Sequence, residues 1–286
     1  MLIVIWIVGI AGIGLLLMVL LCAYYNHAIT TEYYTVTKKG LPEAFKDCTI
    51  VMLSDVHQQE FGAGNHRLLE SIKKEHPSFI VIAGDLLVKG EEVKAEKMLT
   101  LLEELVKICP VYYAPGNHEE KLEREVEEPF KEFLEAVNKT GVTYLANSSA
   151  YIAKDNEIIK ISGLHLQKKY FAKFYERVEF EEKIMVELLG EKEDIYEILI
   201  AHNPNYFPIY ATWGANLVFS GHVHGGVVVL PWIGGVISTT FELFPKYDFG
   251  KFTEKDSTMI LSRGLGVHTI KLRLFNKPEI SVVRFR

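Results

Sequence analysis

The stretch ANLVFSGHVHGG, residues 215–226, sets an apolar run directly against two histidines fenced by three glycines. The run ANLVF reads as a strand buried on both faces, and Gly221, Gly225 and Gly226 read as the turn that ends it. His222 and His224 then share one tight loop that can bring both rings towards one point. A loop that merely contains histidine would stop there. A metal site needs partners from elsewhere in the chain.

Four other runs of the same kind supply them. TIVML (49–53) runs into Ser54, Asp55, Val56 and His57, and FIVIAG (79–84) is followed by Asp85. VYYAP (111–115) leads to Gly116, Asn117, His118 and Glu119, and EILIA (197–201) leads to His202, Asn203 and Pro204. In an α/β sheet, ligands bind in the crevice beyond the carboxyl ends of the strands. Each motif alone is weak, because Asp-x-His pairs and strand-end histidines are common. Their conjunction is not. Five of the ten histidines fall in these loops, together with the two aspartates that directly end strands.

The mixture has a chemical reason. Two adjacent divalent ions need about seven protein donors, with one carboxylate shared between them. Oxygen and imidazole donors without thiolate suit Mn2+, Fe or Zn2+ better than a structural zinc. Such a pair polarises a phosphoryl group, makes hydroxide available at neutral pH and steadies attacking and departing oxygens in line.

The order Asp55-x-His57, Gly84-Asp85, Gly116-Asn117-His118-Glu119, His202 and Gly221-His222-x-His224 resembles the signature of the calcineurin-like metallophosphoesterase superfamily. Finer features are similar to its small membrane-anchored bacterial branch, which includes UDP-diacylglucosamine pyrophosphohydrolase-like enzymes. These are FGAGNHRLLESI after the first motif, LPWIGG after GHVHGG, then FPKY and SRGLG. The resemblance implies a four-layer αββα sandwich of two mixed β-sheets flanked by helices. It implies that Asp55, His57 and His224 hold one metal, that Asn117, His202 and His222 complete the second, and that Asp85 bridges. His118 is implied as a proton donor to the leaving oxygen, with Glu119 orienting its ring. Val227, Val88, Gln58 and Gln59 depart from the commoner pattern at the substrate rim.

Length and composition agree with a globular hydrolase. The 286 residues are 49% hydrophobic and 24% charged, which excludes a disordered chain. A net charge of −6 gives no footprint for long nucleic acids. Three cysteines, Cys22, Cys48 and Cys109, make neither a disulfide framework nor a thiolate cluster. Leu2 to Ala23 carries no charge, and as a helix it spans ~30 Å, the thickness of a bilayer's hydrocarbon core. It lacks the basic n-region and cleavage site of a signal peptide. The expected division is therefore a single-pass anchor at 1–24, a stalk at 25–32 and the phosphoesterase domain at 33–286, bound at a cell membrane through residues 2–23. Lys38 and Lys39 sit at the limit of the positive-inside rule, which leaves the side of the membrane open. Analogy with the anchored relatives favours the extracytoplasmic side.

Helical patterns fill the gaps: NHRLLESIKKEH (65–76), EEVKAEKMLTLLEELVKI (91–108), and a charged stretch over 119–141 that Pro129 interrupts and Gly141 closes. EISVVRF (279–285) reads as a closing edge strand. The aromatic and basic segment LHLQKKYFAKFYERVEF (164–180) reads either as a lid or as an amphipathic connection packing its rings on the core. Arg263 reads as a surface salt bridge or a phosphate contact, and His66, His76, His165 and His268 as helix-face or loop residues. The expected reaction is hydrolysis of a phosphodiester or pyrophosphate bond in a phosphate ester, with a lipid-linked or nucleotide-sugar substrate. Its rivals are a phosphomonoesterase or nuclease of the same fold, and a non-catalytic scaffold. The scaffold is disfavoured because Asp85, Asn117 and His118 are all present.

Overall fold

The computed structural model describes residues 2–37, 40–88, 95–226, 229–230, 232, 234–238, 242–267, 273 and 275–286. Lys38, Lys39, Val227, His268 and the first turn of the helix expected over 91–108 lie outside the described residues. In chain order the strands are β1 (Thr30–Val36), β2 (Thr49–Leu53), β3 (Phe79–Ala83), β4 (Val111–Ala114), β5 (Thr143–Tyr144), β6 (Ser148–Lys154) and β7 (Glu157–Leu164). They continue with β8 (Glu197–Ala201), β9 (Leu217–Ser220), β10 (Val229–Leu230), β11 (Gly234–Gly235), β12 (Gly250–Glu254), β13 (Ser257–Leu261) and β14 (Glu279–Phe285). The helices are α1 (Leu2–His27), α2 (His66–Lys74), α3 (Ala95–Val106), α4 (Asn117–Glu125), α5 (Glu127–Thr140), α6 (Glu182–Leu189) and α7 (Phe207–Trp213).

Two six-stranded mixed sheets result, ordered β1-β14-β2-β3-β4-β5 and β12-β13-β9-β8-β7-β6, with β10 and β11 forming a separate small hairpin. The apolar runs explain the layering. In β2, Ile50 and Met52 point into the core between the sheets, where they meet Ile198, Ile200 and Phe219. Val51 and Leu53 point the other way, onto Leu68 and Ile72 of α2, Met98 and Leu102 of α3 and Phe133 of α5. The second sheet repeats this arrangement: Leu199, Val218 and Met259 pack on Met185 of α6 and on Tyr210 and Trp213 of α7. Strands covered on both faces have no polar side to alternate with, hence their unbroken hydrophobicity. The expected αββα sandwich is the observed one.

Two local readings change. EISVVRF is not an edge. β14 lies between β1, which it pairs in parallel, and β2, which it pairs antiparallel. Ile280 and Val282 face the helices while Val283 and Phe285 face the inter-sheet core, so both of its faces are covered. The edge is β1, where Tyr33 is exposed. The charged 119–141 stretch divides at Val126, whose non-helical backbone (φ −141°, ψ 58°) separates α4 from α5. Pro129 falls in the first turn of α5, where its missing N–H loses no helical bond.

Among the described residues α1 is the one helix long and apolar enough to cross a membrane, and only 6% of its span from Gly9 to His27 is buried. Only Ala28 and Ile29 separate it from β1, and Ile29 packs against the core. The end of the helix is fastened: His27 O accepts from Arg67 Nη2 at 3.2 Å, and Gln59 Nε2 lies 3.5 Å from His27 Nδ1.

Candidate metal centre

Strands β2, β3, β4, β8 and β9 end at one rim, and the loops beyond them interlock. Asp55 N–H donates to Gly84 O at 3.0 Å, His57 N–H to Asp85 O at 3.0 Å, and Gly221 N–H to His202 O at 3.0 Å. These turns are tight enough to force unusual backbone. Asp55, His57, Asp85, His222 and His224 all adopt left-handed conformations, with φ between 48° and 73°. Non-glycine residues avoid this region, and when they cluster in it the site is commonly functional.

Two neighbouring glycines make room for the carboxylates. A methyl group on Gly221 would overlap Ser54 Oγ and Asp55 Oδ2, and one on Gly116 would overlap Asp85 Oδ1. The glycine ahead of the first histidine is therefore a packing requirement of Asp55 as well as a turn.

The side chains converge in overlapping groups. Asp55, His57 and His224 offer donor atoms within 4.8 Å of one another, as do Asp85, His202 and His222, and a third group joins His57, Asp85 and His118. His224 Nε2 is 3.2 Å from Asp55 Oδ1 and 3.1 Å from His57 Nε2, and the two imidazoles stack with centroids 5.0 Å apart. His202 Nε2 is 3.2 Å from Asp85 Oδ2 and 3.8 Å from Asp55 Oδ1. Its other nitrogen, Nδ1, donates to Ala83 O at 2.7 Å, which fixes the ring with Nε2 towards the carboxylates. Asp55 and Asp85 are both fully enclosed. Asn117 opens α4 beside them, and its buried Oδ1 has no hydrogen-bond partner among the described residues.

Two buried carboxylates, imidazole nitrogens turned towards each other and an unsatisfied amide oxygen form a donor set that fits divalent cations. The electrostatics agree. Burial pushes the Asp55 carboxyl up to about 6, against the pull of His202. For Asp85 burial acts in the same sense, but His202, His118 and His57 outweigh it and hold the carboxyl well below its usual range. Burial would lower His202, yet Asp85 and Asp55 raise it to about 10.

All seven positions named from the sequence as metal ligands, and His118, lie at this rim. Glu119 does something different from orienting the His118 ring. Its Oε2 accepts from the amides of Asp85 and Gly116, each at 2.8 Å, and its Oε1 from Leu87 N–H at 3.0 Å. It ties the Asp85 turn to the start of α4. The amide of His118 itself donates to Asp85 Oδ1 at 2.8 Å.

Other contributors carry no motif. Arg273 is wholly buried, and its Nη2 donates to the carbonyls of Arg263, Gly264 and Gly266 at 3.1, 3.1 and 2.8 Å. That loop in turn donates to Ser54 O and Asp55 O, at 3.0 and 2.6 Å. Asn276 Nδ2 donates to His224 O and Gly226 O, at 2.7 and 2.8 Å. Arg273 falls on the polar side of the alternating run IKLRL (270–274) and Asn276 just beyond it, so each reads as an ordinary surface residue and nothing local marked them. Arg263 is a salt bridge, 3.5 Å from both Glu279 and Glu32, with its guanidinium over the Phe249 ring.

Segment 164–180 packs aromatic rings on the core, as its reading as a connection expects. Tyr170 and Phe180 pack into the core, while Phe171 reaches His222, with centroids 5.3 Å apart. A cleft of about 1450 Å³ runs from Asn117 along this segment, lined by Lys168, Lys169, Lys173 and His165 on one side and by Glu120, Glu123 and Arg124 on the other. His165 Nε2 is 3.5 Å from Glu123.

Comparison with known proteins finds the same pattern. The profile of the family described as calcineurin-like phosphoesterase matches residues 48–226. The metallophosphoesterase Cj0846 of Campylobacter jejuni is 27% identical over 277 residues, covering 93% of this chain and 67% of its own length. The metallophosphoesterase YkuE of Bacillus subtilis is 24% identical over 272 residues, covering 90% and 85%. The UDP-2,3-diacylglucosamine pyrophosphatase LpxG of Chlamydia muridarum is 23% identical over 215 residues, covering 73% of this chain and 61% of the relative.

Proposed function

Since the chain belongs to the calcineurin-like phosphoesterase family, we propose that it is a membrane-anchored hydrolase of phosphodiester or pyrophosphate bonds working with two divalent cations. The observation that carries this is the pair of triads Asp55–His57–His224 and Asp85–His202–His222, in each of which the donor atoms lie within 4.8 Å of one another. In this reading Asp55, His57 and His224 hold one ion and Asn117, His202 and His222 the other, with Asp85 shared. The ions supply Lewis-acid polarisation of the phosphoryl group and a deprotonated water at neutral pH, and the thiolate-free donor set suits Mn2+, Fe or Zn2+.

The remaining chemistry belongs to side chains. His118, held at the entry of α4, gives a proton to the departing oxygen or bonds charge on the phosphoryl group. Glu119 keeps that helix and the Asp85 turn in register. The roomy cleft beyond Asn117 favours a diester, which carries a substituent on each side of phosphorus, over a monoester. A lipid-linked or nucleotide-sugar diphosphate is supported by α1 and by the likeness to LpxG. The division into anchor (1–24), link (25–32) and catalytic domain (33–286) belongs to the same reading.

The test uses the purified full chain in detergent with bis(p-nitrophenyl) phosphate and added Mn2+. Hydrolysis is expected, faster than with p-nitrophenyl phosphate, and it should vanish together with bound metal in Asp85→Asn and His222→Ala. Unchanged turnover and metal content in both variants would refute the assignment.

A further inference from the structure

The apolar run of α1 ends in Tyr24 and Tyr25. Tyrosines at the end of a membrane helix settle at headgroup level, where the ring is apolar and the hydroxyl meets water. Tyr25 lies edge-on to Phe275, with ring centroids 5.7 Å apart, and Lys277 Nζ is 5.7 Å above the Tyr24 ring. Phe275 thus sits at the depth where the helix leaves the hydrocarbon, with 46% of its surface exposed. Asn276 follows, and its side-chain amide holds the carbonyls of His224 and Gly226. The metal loop is therefore one side chain away from that depth.

The next excursion of the chain continues the pattern. Gly226 abuts Gly235, and the β10–β11 hairpin presents Trp232 wholly exposed at its tip. Leu243 and Phe244 are 66% and 63% exposed; they are fixed by a bridge between Ile237 and Leu243 and by Phe244 N–H donating to Val236 O at 2.9 Å. Large apolar side chains held this openly mark a contact surface. The hairpin is tied through Gly235, Gly226 and Asn276 to Phe275 at the end of α1, which names what these side chains contact.

We propose that Phe275, Trp232, Leu243 and Phe244 form a rim that dips into the lipid headgroup layer and opens the metal centre at that depth. The scissile phosphate would then be reached while the acyl chains of the substrate stay in the bilayer. This rests on the reading of α1 as a membrane span.

The chain has three tryptophans: Trp6 in α1, Trp213 buried at the last position of α7, and Trp232. Full-length Trp6→Phe and Trp232→Phe variants are reconstituted in phosphatidylcholine–phosphatidylglycerol vesicles, plain or brominated near the top of the acyl chains. A residue buried ~5–10 Å into the headgroup boundary lies within reach of those bromines. The Trp6→Phe chain should therefore lose at least about half of its Trp232 emission. Trp232 emission that is equal in plain and brominated vesicles, while Trp6 is quenched in the Trp232→Phe chain, overturns the rim and leaves the anchor standing. Absence of quenching in both variants removes the anchor and the rim with it. A blue shift of Trp232 that follows protein density without bromine quenching assigns the patch to a second copy of the chain and likewise overturns the proposal.

Discussion

His118 touches the centre in two separate ways, through its backbone and through its ring. The amide that donates to Asp85 survives any substitution except proline, whereas the ring, 5.0 Å from that of His57, is lost. His118→Gln should therefore lower turnover by ~10²–10⁴-fold, the usual worth of a positioned proton donor, with metal per chain unchanged. Elemental analysis beside the kinetics checks this, and metal loss would make His118 a ligand. Gly221→Ala tests the opposite case. Its methyl group has no place except against Ser54 and Asp55, so bound metal should fall although no donor atom is removed. At this scale the sequence was highly legible, because the donors sit next to strand ends and their types are chemically restricted. Its silence concerns residues that act through carbonyls. Arg273 and Asn276 hold main-chain oxygens, a task that imposes no spacing and is open to several side chains.

The start of α4 shows how an element is made to serve a site. Three amides, from Asp85, Leu87 and Gly116, point at one carboxylate, so Glu119 works as a knot between the β3 turn and the helix. Buried donors left without an acceptor cost about 1–3 kcal/mol each, so Glu119→Ala should destabilise the fold by about 3 kcal/mol or more. Denaturant unfolding measures the loss, and a drop below about 1 kcal/mol would show that water replaces the carboxylate. Strand existence was readable from hydrophobic runs, and the five site strands begin and end within two residues of the expected bounds. Their neighbours were not. A strand's place in the sheet depends on partners that are distant in the chain, so β14 could not be told from an edge strand by its own residues. The break at Val126 escaped for a related reason: Pro129 marks a first helical turn as readily as an interruption.

For the molecule as a whole, the two sheets meet along a core that stops where the charged rim begins, so the cations would close the open end of the sandwich. Ligand binding to the native state adds RT ln(1 + [L]/Kd), about 2.7 kcal/mol per site at a hundredfold excess over Kd. For a domain of this size each kcal/mol moves Tm by ~2–4 °C, so chelation should lower Tm by ~5–10 °C per vacated site. Calorimetry with and without chelator, then with Mn2+ restored, checks this; an unmoved transition would mean that the clusters bind nothing. Sheet order has a second consequence, for the timing of folding. β14 fills the gap between β1 and β2, yet it is synthesised after every other described strand. At ~5–20 residues per second, the ~225 residues between β2 and β14 take the ribosome some 10–45 s. Through that interval the first sheet keeps an unfilled slot with two waiting hydrogen-bonding edges, which is the kind of surface that nascent-chain chaperones occupy and that neighbouring polysomes can cross-pair.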